Sequence, residues 1–169
     1  PSVVVLGVDT MVMDNDDAKV RHGVRPTYKK IKGFQPLQMN WQGFIVDAVF
    51  RRGDAHSNHG DTVEKMVSHV VANIRKHYRQ DVPIIVRMDS GFFDQKLFEA
   101  FEQMRIGYIC AGKLYEWVKD YAGQADSDQW NRYQQKRQVW QYLEFASQCK
   151  SWNRFRRTIF CRPLYEDNQ

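Results

Sequence analysis

The chain is short of everything that would tie it to a disulfide scaffold, a zinc fold or a lipid bilayer. Three cysteines stand among its 169 residues, Cys110, Cys149 and Cys161, and no two form a Cys-x-x-Cys pair. An odd, widely spaced set does not describe a disulfide framework. Five histidines are present, yet no spacing matches the familiar zinc patterns. Cys110 falls in an apolar run and reads as a small core residue. No stretch reaches the roughly 18 apolar residues a spanning helix needs, and no secretory leader is visible. The expectation is therefore a chain without a membrane partner, in a reducing, cytoplasmic setting. Repeats and low-complexity tracts are absent as well. With 43% hydrophobic and 14% aromatic residues, disorder is excluded and a core of real size is expected.

Acids are scarce in one place. Arg132 to Arg162 holds eight Lys or Arg against the single acid Glu144, a net of +7. The whole chain carries only +5, so all other residues together sum to −2. The same quarter contains Trp140, Tyr142, Phe145, Trp152, Phe155 and Phe160. Basic and aromatic side chains interleaved in this way suit phosphate contact with base stacking, or else a solvated face over a small aromatic core.

Apolar patterning gives the element order. Val3 to Met13 reads as a first strand, followed by a polar stretch, Asp14 to Gly33, whose acidic triplet Asp14, Asp16 and Asp17 reads as a turn. Phe34 to Trp41 and Phe44 to Phe50 read as strands joined at Gln42-Gly43. Apolar residues at 63, 66, 67, 70, 71, 74 and 78 predict a helix with one buried face, capped by Thr62. A buried strand, Val82 to Met88, is followed by a second helix from about Asp94 and a fifth strand, Ile106 to Ala111. Beyond a boundary near Lys113 the pattern predicts a short helix, Leu114 to Tyr121, and a hairpin formed by Gln138 to Cys149 and Phe155 to Pro163.

Two of these strands end alike. The first runs into Asp9-Thr10 and the fourth into Asp89-Ser90-Gly91. Nearly continuous apolar runs of this kind fit strands buried on both faces of a parallel sheet. Ligands of open α/β sheets bind beyond the carboxyl ends of such strands. Parallel neighbours lie about 4.8 Å apart, so Asp9 and Asp89 would meet at one sheet edge. Carboxylates that close repel unless one keeps its proton or a cation neutralises them, and a divalent metal with oxygen ligands does so. The β-β-β-α-β-α-β order, with one Asp on the first strand and another at the end of the fourth, matches the ribonuclease-H-like mixed five-stranded sheet. A basic, aromatic, β-rich segment follows it.

Four runs sharpen that match. Gly7-Val8-Asp9-Thr10, Lys32-Gly33-Phe34-Gln35-Pro36-Leu37, Arg51-Arg52-Gly53-Asp54-Ala55-His56-Ser57 and Val86-Arg87-Met88-Asp89-Ser90-Gly91-Phe92 resemble the catalytic domain of bacterial insertion-sequence transposases of the DDE class. The resemblance covers roughly residues 3 to 113 and is most specific in the last run. It implies metal-dependent cleavage and strand transfer on DNA. Asp9 and Asp89 would be the first two acids of a triad holding two Mg²⁺ or Mn²⁺ ions, with Thr10, His56 and Ser90 beside them. The third acid in the family is a Glu on a helix after the insertion. Glu144 lies in a β-like segment and Glu166 has no helical pattern around it, so neither matches. Residues 1–113 are thus expected to be the first part of the core. Residues 114–169 would be an insertion cut off before the final core helix, leaving a fragment that is inactive or nearly so. Lys29, Lys30, Lys32, Lys113, Trp140, Trp152, Arg154, Arg156 and Arg157 are the residues expected to meet DNA, and Trp140 or Trp152 to hold an unstacked base. The resemblance further implies transposon-end and target DNA as partners, a homodimer when full-length and DNA-bound, and a bacterial, nucleoid-associated location. Another ribonuclease-H-like nuclease, or a DNA-binding relic without chemistry, are the competing readings, because one fold hosts many functions.

Overall fold

The opening apolar run becomes strand β1, Val4–Thr10, in a computed structural model that describes residues 1–17 and 21–164. The chain divides into two compact units, Pro1–Lys113 and Leu114–Gln169.

In the first unit β1 stops at Thr10, short of Met13, and a small second sheet follows it. Met13–Asp14 (β2), Arg25–Pro26 (β3) and Lys32–Phe34 (β4) pair in the order β2-β4-β3. This segment, expected as an irregular polar loop, is organised by its acids. The Asp14 carboxylate accepts from the Asp16 N–H at 2.9 Å, and the Asp16 carboxylate from the Lys32 N–H at 3.1 Å. At Gly33 a Cβ would stand 2.1 Å from the Met13 carbonyl oxygen, so only glycine lets the strands approach.

Leu37–Trp41 (β5) and Phe44–Val49 (β6) form the expected hairpin. Gln42 and Gly43 both adopt positive φ, 51° and 88°, as a two-residue turn between twisted strands requires. Helix α1 (Thr62–His77), strand β7 (Ile84–Met88), helix α2 (Gln95–Gln103) and strand β8 (Gly107–Cys110) complete the unit. The main sheet has the order β6-β5-β1-β7-β8. β1 pairs antiparallel with β5 and parallel with β7, and β7 parallel with β8. This is the ribonuclease-H-like arrangement.

The core lies on one face of that sheet. Val4, Leu6 and Val8 of β1, Leu37 and Met39 of β5, and Ile84, Val86 and Met88 of β7 are buried with Val63, Val67 and Val71 of α1 and Leu97, Phe98 and Phe101 of α2. The opposite face is not covered as expected: Val5 is 41% and Ile109 58% exposed. The strands therefore alternate inward and outward, a period masked in the sequence because Val5 and Ile85 on the outward side are also apolar.

Helix α1 also departs from expectation at its start. Its N-cap is Asp61, without a side-chain cap bond. Thr62 is the first helical residue, and its hydroxyl donates to the His59 carbonyl at 2.9 Å.

The second unit contains helix α3 (Glu116–Gln124) and strands β9 (Asn131–Gln135), β10 (Gln138–Ser147) and β11 (Arg156–Leu164), paired antiparallel in the order β11-β10-β9. Val118 and Ala122 of α3 are buried, and Tyr121 packs 4.4 Å from Phe145 of β10. Strand β9 was not foreseen: all five of its residues are polar or exposed and show no alternation.

Candidate active site

Register decides the geometry. β1 and β7 pair from Val4↔Ile84 to Val8↔Met88. Asp9 on β1 and Asp89, the extended residue just past β7, follow that last pair, so both leave the sheet on the open side, opposite Val8 and Met88, at the carboxyl ends of parallel neighbours. Both are exposed. Each carboxylate spends one oxygen on local backbone. Asp9 Oδ1 accepts from the Thr10 N–H at 2.7 Å and Asp89 Oδ1 from the Gly91 N–H at 2.9 Å. Among the described residues, no lysine, arginine or histidine pairs with either one.

The surroundings tighten around Asp89. The Cys110 thiol donates to its carbonyl oxygen at 3.2 Å. Burial first, and the Asp89 charge second, push that thiol up to about 12, so it stays protonated. Thr10 contributes its N–H to Asp9, and the Ser90 carbonyl accepts from the Phe93 N–H at 3.3 Å. His56 is exposed, its ring edge-on to His59 at 5.3 Å.

Three residues at this edge escaped the sequence reading. Gln38 is the cross-strand partner of Asp9, on the same open face. Arg51, 6% exposed, knots the loop before α1: Nε donates to the Gln35 carbonyl at 3.1 Å, and Nη1 to the Ser57 carbonyl at 3.1 Å and to Thr62 Oγ1 at 3.3 Å. Its Nη2 is buried without a hydrogen-bond partner, and burial lowers its pKa. Ser57 is carried by this loop to the turn after Asp89, where its hydroxyl lies 2.5 Å from the point a Gly91 Cβ would occupy. The run Arg51 to Ser57 was visible in the sequence, but no local pattern says which carboxylate it will meet.

Two adjacent carboxylates without basic partners, each with lone pairs left over, are the hard oxygen donors that Mg²⁺ and Mn²⁺ take. The pair fits such ions, though no group of three His, Cys, Asp or Glu gathers among the described residues. Glu144, in the second unit, is bound at both oxygens by Arg157 (2.6 and 2.8 Å), and that guanidinium holds its carboxyl below the usual range. Glu166 lies outside the described residues.

The expected DNA contacts are scattered unevenly. Lys29, Lys30 and Lys32 are exposed around the turn from β3 to β4, and Lys113 is exposed at the end of the first unit. Trp140 stands on β10 opposite Tyr133, on the sheet face away from Leu143 and Phe145. Trp152 lies in the connection before β11, with the Arg156 guanidinium 4.9 Å from its ring centre. Arg154 is exposed, and Arg157 is exposed but held by Glu144. Arg156 is 8% exposed, so it does not present its charge to a phosphate as the sequence suggested. Strand alternation turns it to the side of Ser147, its register partner.

Among solved structures the chain is similar to the piggyBac transposase in a synaptic complex with hairpin DNA, at 12% identity over 83% of this chain and 30% of that one, with a TM-score of 0.45. It is also similar to the Mos1 transposase in a paired-end complex with the left transposon end, at 9% identity over 73% of this chain and 49% of that one, with a TM-score of 0.41. It thus spans less than half the length of either. No curated protein matches it. The family described as transposase DDE domain group 1 matches residues 2–166, nearly the whole chain, and the chain belongs to that family.

Proposed function

We propose that the chain carries catalytic-core residues of a transposase that cleaves DNA at the ends of a mobile element and transfers the freed strand to a target. The observation that carries this is the juxtaposition of Asp9 and Asp89, at the ends of parallel neighbours and free of basic partners among the described residues, in a chain of the DDE family. Asp9 and Asp89 would hold Mg²⁺ or Mn²⁺. Bound there, such cations supply neutralisation of phosphate charge and activation of the attacking water or 3′-hydroxyl. The protein's own part is placement. The Thr10 and Gly91 N–H groups each fix one carboxylate oxygen and so orient the other. The open sheet face beside them leaves room for a DNA strand.

Residues 1–113 form the core in this reading. Residues 114–169 form an insertion that lies against DNA, and a third acid comes from outside the described residues. Lys29, Lys30, Lys32, Lys113 and Arg154 are exposed cations suited to phosphate contact. Trp140 is better suited than Trp152 to stack on an unpaired base, because it stands on a sheet face beside Tyr133 whereas Trp152 is engaged by Arg156. The working form would be a homodimer on DNA. Calorimetry with Mn²⁺ tests the core of this proposal: binding by the wild-type chain should be lost in both Asp9→Ala and Asp89→Ala. Binding that survives either substitution would refute a shared site.

A further inference from the structure

We propose that Ser57 is a positioning residue of the carboxylate site, its hydroxyl supporting Asp89 in holding a divalent cation. This rests on the reading of Asp9 and Asp89 as the metal-holding pair. The argument begins at Gly91. A Cβ on that residue would stand 2.5 Å from Ser57 Oγ and 3.0 Å from Asp89 Oδ1, so hydroxyl and carboxylate flank one point. Glycine at 91 is what admits the hydroxyl. Ser57 Oγ has no hydrogen-bond partner among the described residues, although the side chain is half-buried. One donor and two lone pairs therefore stand idle beside a metal-binding carboxylate.

The position of this hydroxyl is held by several contacts. Arg51 grips the Ser57 carbonyl from a buried site and anchors itself on the Gln35 carbonyl at the mouth of β5. Thr62 ties the far end of the same loop to His59 and to Arg51. Within the loop the Ala55 N–H donates to the Arg52 carbonyl and the His59 N–H to the His56 carbonyl, each at 3.1 Å. A loop with so many internal bonds carries its hydroxyl to the Asp89 turn reproducibly. With a cation in place, the idle Ser57 hydroxyl would hydrogen-bond the Asp89 carboxylate or a water on the cation. Groups that hydrogen-bond around metal ligands orient them, and their removal weakens metal affinity about 10–100-fold.

The test is Mn²⁺ affinity, read as free Mn²⁺ by electron paramagnetic resonance, with thermal melting alongside. Ser57→Ala should bind about tenfold more weakly and Ser57→Thr within about twofold of wild type, with both melting within about 2 °C of it. Gly91→Ala, whose Cβ would press on both Ser57 Oγ and Asp89 Oδ1, should weaken binding at least as much as Ser57→Ala does. Unchanged affinity in Ser57→Ala would overturn this inference and leave the carboxylate pair standing. Weakened affinity accompanied by a lowered melting point, without rescue by threonine, would assign Ser57 a structural role and overturn it too. Absence of Mn²⁺ binding in the wild-type chain would overturn both readings together.

Discussion

Asp9 and Asp89 in the first unit and Glu144 in the second are all acids at strands, yet their neighbours differ. Asp9 and Asp89 stand at adjacent strand ends with only backbone N–H groups for company. Glu144 is clasped at both oxygens by Arg157. Two other arginines of the second unit are engaged within it. Arg162 bonds to Gln141 and lies 3.7 Å from the centre of the Trp130 ring, and Arg156 lies over Trp152. Glu144, Arg156, Arg157 and Arg162 each have a partner within their own unit. Two like charges left together without one are a cost to stability, of the sort that persists where a site needs it. Charge density alone pointed to the basic quarter. Pairing points to the other end of the chain.

The comparison can be broken most forcefully at the scaffold behind the acids. Arg51→Met removes three hydrogen bonds and strands the buried Gln35 carbonyl and the half-buried Ser57 carbonyl, so we expect a loss of about 3 kcal/mol in urea unfolding. A loss within about 0.5 kcal/mol would mean that the loop does not depend on Arg51. Next in size is the contrast among acids. Asp9→Ala or Asp89→Ala should abolish Mn²⁺ binding without lowering the melting temperature, since each removes an unpaired charge. Glu144→Ala should leave Mn²⁺ affinity unchanged. A smaller effect is expected from Glu144→Gln, which releases Arg157. DNA affinity should then fall more steeply with salt, the logarithmic slope growing by about one contact. An unchanged slope would place Arg157 away from DNA.

The smallest expected effect concerns pH. The Arg157 guanidinium lowers the Glu144 carboxyl from its ordinary 4.5, so the folded value lies below the unfolded one. The stability from this pair is therefore full above the unfolded value and is lost only as pH falls through the lower, folded one. Acidification from neutrality to about pH 5 should leave the Arg157 Nε–H resonance in place. A shift within that range would show that the carboxyl is not depressed.

The main sheet was legible because each strand is an apolar run with a clear stop, and α1 and α2 because their apolar residues recur at helical spacing. The pairing of Asp9 with Asp89 followed from those stops and from the order of elements. What escaped has a common cause. β2, β3 and β4 are two or three residues long, too short to carry a period, and are held by Asp14, Asp16 and a glycine contact rather than by apolar burial. β9 is wholly exposed, so no hydrophobic signal marks it. Thr62 looked like a cap because caps are chosen by residue type, whereas Arg51 claims its hydroxyl from eleven positions away. Ser57 and Gln38 meet the acids through register and loop packing, which no window of local sequence contains. Burial of Arg156 depended on strand phase, which the run Arg154 to Arg157 leaves ambiguous.

The central claim is that two strand ends far apart in sequence form one cation site. Its most direct test is to load the chain with Fe²⁺ in place of Mg²⁺ and generate hydroxyl radicals with ascorbate and peroxide, then locate the backbone cuts by mass spectrometry. The account predicts cuts clustered at both Asp9-Thr10 and Asp89-Ser90-Gly91, suppressed by excess Mg²⁺ and lost from both places in either aspartate variant. Cuts at one strand end alone, or cuts at the second end that survive loss of the first carboxylate, would contradict it.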